Sequence, residues 1–178
     1  ALITFGNQIS MTIILTIILV FFGLIYIDNI IPAFGGKGTI FEPAKIYYRI
    51  VLYGVPFLAL SMMGNTVIRA EGKPKFAMYA MMIPSVTNLL FDYIFINIMD
   101  LGMMGAAWAT TGSYILCFIF IFWFFISDNS EMKALALHFK LKRSIVSEIT
   151  NLGSVTLSRQ AVVSITYLLM NNIYISSG

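Results

Sequence analysis

The sequence predicts an all-α, polytopic transmembrane helix bundle of four full spans and most of a fifth. Three observations carry that prediction. Of the 178 residues, 59% are hydrophobic and only 11% charged, against roughly 25% charged residues in ordinary soluble domains. One soluble core cannot enclose that much apolar surface. Apolar runs also recur at the length, roughly 20 residues, that crosses a hydrocarbon core. Finally, the lysines and arginines gather in the connections on one side of those runs. The formal net charge of +3 is too small for a nucleic-acid surface, and no basic patch is interleaved with aromatics.

The first expected span is 9–31, ISMTIILTIILVFFGLIYIDNII. It is too long for the apolar core of a signal peptide, with no basic stretch ahead and no small-residue cleavage site behind. The Gly-rich connection AFGGKGT ends it. The second span is 45–69, with Pro56 inside, and the third is 76–98, with Pro84 inside. A membrane bundle tolerates such prolines when neighbours satisfy the freed carbonyl. Between these spans Pro74 is placed to open a helix, since its missing N–H is one that no first turn can use. A tight turn at MDLG leads to the fourth span, 104–126. A polar segment follows, and the last apolar stretch, 154–175, reads as the truncated fifth. Trp108, Trp123, Tyr47, Tyr48 and Tyr79 fall near span ends, as an aromatic belt would have them.

Spans alternate in direction, so the connections 69–75 and 128–150 share a side. They hold Arg69, Lys73, Lys75, Lys133, Lys140, Lys142 and Arg143, whereas the other side offers Lys37, Lys45 and Arg49. The positive-inside rule makes the first group cytoplasmic. Cys117, the one cysteine, allows no disulfide framework, and the one histidine, His138, lies in the polar segment as a surface residue. The chain lacks an initiating methionine and stops within an apolar run, so a larger protein is expected around it.

One feature resists the bland reading of a packed bundle. In NLLFDYIFI, the carboxylate of Asp92 lies within a membrane span. A charged side chain at the centre of a span costs about 2.5–3.5 kcal/mol on insertion scales, so it must face protein or water. Asn88, four residues earlier, shares its helical face. At 1.5 Å per residue Asp92 lies about 12 Å from the turn at residue 100 and Asn88 about 18 Å. Thr110, on the returning helix, lies about 15 Å in by the same count. A carboxylate, an amide and a hydroxyl therefore converge from two antiparallel helices. The small residues Gly105, Ala106, Ala109, Gly112 and Ser113 let those helices approach. Two readings stay open: the cluster is a hydrogen-bonded clamp, or it is a cation site. Intramembrane ionisable groups mark ion and proton pathways often enough to favour the second.

The run RAEGKPKFAMYAMMIPSVTNLLFDYIFI, followed by LGMMGAAWATTGSY, resembles the multidrug and toxic compound extrusion (MATE) transporters. In that family a basic Gly-Pro loop leads into a helix ending in Asn-x-x-x-Asp, and the next opens with Gly-x-x-Gly-Ala-Ala and Ala-Thr. The later GSVTLSRQ is similar to the entry of the seventh family helix, although Val155 stands where proline is common. The resemblance implies that 1–127 is part of the N-terminal lobe, the third to sixth helices of twelve. It further implies that 128–150 is a cytoplasmic inter-lobe connection and 151–178 the start of the C-terminal lobe. It implies a monomeric antiporter in the plasma membrane, exporting cationic or amphipathic organic compounds in exchange for H⁺ or Na⁺, with no cofactor. Asn88, Asp92 and Thr110 match the family's coupling-cation network, which an aspartate of the first helix, outside this chain, completes in many members. Met81, Met82, Phe91 and Tyr93 are candidate adaptable substrate contacts.

Three other classes compete with this reading. A lipid-linked saccharide flippase of the same wider superfamily would need a more cationic cavity for pyrophosphate. An intramembrane hydrolase would need paired catalytic groups, and the spans supply one mid-span carboxylate and no histidine. A structural subunit would tolerate Asp92→Asn without loss.

Overall fold

The computed structural model of the protein describes residues 2–131 and 143–176. Its helices are α1 (Leu2–Ile25), α2 (Ile27–Ala33), α3 (Phe41–Ala70), α4 (Pro74–Asp92), α5 (Gly102–Ile126) and α6 (Arg143–Ser176). A 3-10 turn at Gly38–Ile40 leads into α3 and a π turn at Tyr93–Ile98 ends α4. No strand occurs among the described residues. Among the described residues four segments are long and apolar enough to cross a membrane: Ile3–Ile25, Gly38–Ala70, Pro74–Ile98 and Gly102–Ile126. The expected last stretch is helical within α6, which begins well ahead of it at Arg143. His138, Lys133, Lys140 and Lys142 lie outside the described residues.

The first span runs 3–25 and not 9–31. Asn7 lies ahead of the expected start and Ser10 just inside it, and each is satisfied within the helix. Asn7 Nδ2 donates to Ile3 O (2.7 Å) and Ser10 Oγ to Gly6 O (3.0 Å). At the other end the chain breaks at Tyr26. That break puts Asp28 on the short helix α2, where it pairs with Lys45 of α3. The ion pair lies at the end of the span and spares a carboxylate from hydrocarbon.

The central element is α5, which packs against both α3 and α4. Its buried residues Gly105, Ala109, Ser113, Cys117 and Ile121 recur every fourth position and form one stripe along the helix. Small residues at the start of that stripe admit close backbones, and Ile121, Phe124 and Phe125 fill the wider end with Val67, Ile68 and Phe5. On α3 the space for Ile121 comes from Gly64, where an added Cβ would stand 2.5 Å from Ile121 Cγ2. Thr111 Oγ1 ties the same two helices by donating to Ile50 O (3.0 Å).

Proline at position 84 has no N–H, which leaves Ala80 O without its helical donor. Cys117 of α5 fills that vacancy: its thiol donates to Ala80 O (3.1 Å). The lone cysteine therefore has a structural role at the α4–α5 contact. At the ends of these helices the connections meet as expected. Ser130 Oγ donates to Glu71 Oε1 (2.8 Å), and Lys73 Nζ sits 5.7 Å from the centre of the Phe124 ring. The 69–75 connection and the one after α5 are on one side of the bundle.

Gly64→Val in the full-length protein should destabilise by about 1–3 kcal/mol, the usual cost of overpacking. Thermal unfolding in detergent should show a lower midpoint than Thr66→Val, one turn-face away at an exposed position. An unchanged midpoint would mean that α3 and α5 are not in this contact.

Candidate functional site

The α4–α5 hairpin turns sharply at Asp100 and Gly102, both with φ of 52°. This left-handed region is open to glycine and tolerated by aspartate. Before the turn the helix widens to a π turn that starts at Tyr93, the residue after Asp92. Its carbonyls are used: Met99 N–H donates to Ile94 O and Leu101 N–H to Phe95 O, both at 2.9 Å. The widened backbone lies against Gly105, where an added Cβ would stand 3.0 Å from the Phe95 carbonyl. Gly105 thus brings the start of α5 against the end of α4 at the level where the polar groups must meet.

They do meet. Asn88 stands between the other two residues. With its amide oriented so that both ends are satisfied, Nδ2 donates to Asp92 Oδ2 (3.2 Å) and Oδ1 accepts from the Thr110 N–H (3.3 Å). In the opposite orientation Nδ2 lies 3.4 Å from Thr110 Oγ1. The Thr110 hydroxyl donates back to Ala106 O (3.0 Å), which leaves its lone pairs turned outward. All three residues are half-buried, so the cluster is reachable. It offers a carboxylate, a hydroxyl oxygen and an amide oxygen. These are hard oxygen donors of the kind that suit a small cation, and the carboxylate alone can instead take a proton. No group of three His, Cys, Asp or Glu gathers among the described residues.

A cleft of about 360 Å³ opens between α3 and α4. Ser61, Asn65 and Arg69, one turn apart, line its α3 wall with Met62; Met81 and Pro84 line the α4 wall, and Cys117 lies at its floor. Asn65 Nδ2 holds the walls together by donating to Ala77 O (2.7 Å). Met81, Pro84, Asn88 and Asp92 fall on one face of α4 by their spacing of three and four. From Pro84 to Asp92 is about 12 Å along that helix. Cleft and polar cluster are therefore successive features of one surface.

Of the four candidate substrate contacts, only Met81 lines the cleft. Phe91 stacks on Phe95 with ring centres 5.4 Å apart, and Met82 on α4 and Tyr93 at the start of the π turn are exposed outside the cleft. The α3 wall was not foreseen. Its signal in the sequence is the four-residue recurrence of Ser61, Asn65 and Arg69 in an otherwise apolar span.

A helical bundle with a polar cluster between spans and an open cleft beside it has the build of a membrane transporter. Residues 2–94 match the MatE family, more than half of the chain, and the chain belongs to that family of transporters. It is 24% identical over 157 residues to the multidrug export protein MepA of Staphylococcus aureus (strain bovine RF122 / ET3-1), which covers 88% of this chain and 35% of the relative. It is also similar to the inward-facing structure of a multidrug resistance MATE family transporter of the MOP superfamily. That match has a TM-score of 0.85 and 27% identity over 98% of this chain and 46% of the other. The outward-facing structure of such a transporter matches with a TM-score of 0.82 and 26% identity over 98% and 43%. The chain spans about a third of the length of the curated relatives it matches. Its helices belong in a membrane, and its family is not one of enzymes.

A double-mutant cycle reads the Asn88 bridge directly. Asn88→Leu and Asp92→Leu should each shift the stability of the full-length protein. Together they should fall short of additivity by roughly 0.5–3 kcal/mol, as contacting pairs do. Strict additivity of the two unfolding shifts would show that the residues do not interact.

Proposed function

We propose that this chain carries most of the N-terminal lobe of a cation-coupled exporter of organic compounds, with Asp92, Asn88 and Thr110 as the coupling-cation site. Residues 1–127 belong to the N-terminal lobe, 128–150 form a cytoplasmic connection between lobes, and 151–178 begin the C-terminal lobe. The protein acts as a monomer in the plasma membrane, exchanging H⁺ or Na⁺ for a cationic or amphipathic organic compound.

The observation that carries this reading is the shared face of α4. Asn88 hydrogen-bonds toward both Asp92 and Thr110, and the Met81 and Pro84 wall of the cleft continues that face. A cation arriving at Asp92 neutralises the carboxylate and frees Asn88 and Thr110 to take oxygen-donor roles. The α4–α5 contact then changes where Pro84 already replaces a backbone hydrogen bond by the Cys117 thiol. Such a break offers little resistance to bending. Substrate in the cleft, with its own preferred width, opposes that change. Each ligand moves the equilibrium only by its differential affinity for the two arrangements. Alternating access follows when the two lobes rock about a site near the midplane. Likeness to both an inward-facing and an outward-facing structure, at TM-scores of 0.85 and 0.82, supports a lobe that moves largely as one body. MepA is named a multidrug export protein, which supports export as the direction. A flippase for pyrophosphate-linked saccharides would need several cations in the cleft, whereas among the described residues Arg69 is the one lining it.

In cells, full-length wild type and Asp92→Asn at equal surface level should differ sharply in efflux of a fluorescent organic compound. Loss of a positioned charge-assisted contact predicts at least roughly a tenfold drop. Collapsing the H⁺ and Na⁺ gradients in turn should abolish wild-type efflux for one ion only. Normal pumping by Asp92→Asn would reduce the cluster to a clamp.

A further inference from the structure

We infer that Pro84 and Cys117 together form the hinge of coupling: the thiol fixes the half of α4 before the proline, and the half after it swings, carrying Asn88 and Asp92. This rests on the export reading above and assigns the moving part of its coupling site. The two halves of α4 are held very differently. Ahead of Pro84, Ala77 and Ala80 are each 1% exposed and belong to the apolar core. Asn65 of α3 donates to Ala77 O (2.7 Å), and Cys117 of α5 donates to Ala80 O (3.1 Å). Phe76 packs on Phe124 with ring centres 5.1 Å apart. This half is therefore anchored to both neighbouring helices. From Pro84 to Ile98 no residue is buried. Among the described residues, the polar tie of this half to a neighbouring helix runs through Asn88 to Thr110.

The chemistry of the break explains the division. Pro84 lacks the N–H that Ala80 O needs, and its ring crowds that carbonyl. Cys117 supplies the missing donor from α5, which leaves α4 one ladder bond short at the junction of its halves. Helices bend where the ladder is interrupted in this way. Cys117 is thus a positioning residue, acting through Ala80. Asp92 lies about 12 Å beyond Pro84, so a change of about 20° in the bend moves it by about 4 Å. No hydrogen bond between Asn88 and Thr110 survives such a displacement. A cation at Asp92 turns the Asn88 carbonyl oxygen toward itself and away from the Thr110 N–H. The residue that the cation engages is therefore the one that holds the swinging half in place. The π turn beyond Asp92, itself an irregular stretch of helix, absorbs the change ahead of the hairpin bend.

The test is a cycle of variants in the full-length protein with two readouts. One is the thermal midpoint in detergent. The other is the change in ethidium affinity on adding Na⁺ or, in Na⁺-free buffer, on acidification. Wild type should show a cation effect of roughly 5–150-fold. Pro84→Ala gives Ala80 O its helical donor, so it should keep or raise the midpoint while the cation effect falls to near one. A proline with a structural role alone would move the midpoint and spare the effect. Cys117→Ala should lower both readouts in wild type, and the midpoint distinctly less in Pro84→Ala, where the carbonyl already has a donor. Cys117→Ser keeps a donor and should recover most of both. A full cation effect in Pro84→Ala overturns the inference, as do equal midpoint losses from Cys117→Ala in the two backgrounds. Should Pro84→Ala not fold, Cys117→Ala decides alone, and an undiminished cation effect in it overturns the inference. A wild type without any cation effect defeats the export reading as well, whereas a coupled Pro84→Ala defeats the hinge alone.

Discussion

A carboxylate inside a membrane span must have its lone pairs met by protein or water, and that requirement organises the α4–α5 hairpin. Asp92 is answered by Asn88 on its own helix, and Asn88 in turn by Thr110 on the next. The arrangement needs the two backbones close together at one depth. Gly105 provides the closeness, the π turn fills the level between Asp92 and the bend, and the left-handed pair Asp100 and Gly102 reverses the chain. Removing any one of these would move Thr110 out of reach before it changed the cluster's own chemistry.

The same rule, that polar groups in hydrocarbon must be satisfied, recurs away from the cluster. Hydroxyls of Ser10, Thr16 and Thr110 donate to carbonyls one turn back. The carbonyl that Pro84 frees is met by Cys117, and the carbonyl of Ala77 also receives Asn65. The last two bonds join neighbouring helices at the cleft, so they define its width as well as its stability. The cleft is thus built from the bundle's own repairs, and its α4 wall is hinged where the intrahelical ladder is interrupted.

Much of this was legible in the sequence because helical rise converts position into depth. Asn88, Asp92 and Thr110 could be levelled from the turn without coordinates, and the spacing of Gly105 and Ala109 announced a close contact. Other features were hidden. The expected first span began at residue 9, and the bonds of Asn7 to Ile3 and of Ser10 to Gly6 belong to a helix that extends α1 to the beginning of the described chain. The π turn has no residue signature, since Tyr93 to Ile98 reads as more apolar helix. The partner of Cys117 was recoverable in principle, because Pro84 orphans Ala80 and both positions lie deep in adjacent antiparallel helices. The α3 wall needed the long-range contact of Asn65 with Ala77, which no local pattern encodes.

Coupling between the polar cluster and the cleft is the central claim, and linkage makes it measurable at equilibrium. The affinity of the full-length protein for a fluorescent substrate should be measured with the coupling cation absent and saturating, in wild type and in Asp92→Asn. The account predicts that the cation changes wild-type affinity by roughly 5–150-fold, the usual range of a coupling free energy, and leaves the affinity of Asp92→Asn unchanged. An equal cation effect in both proteins would contradict it, placing the coupling outside this hairpin.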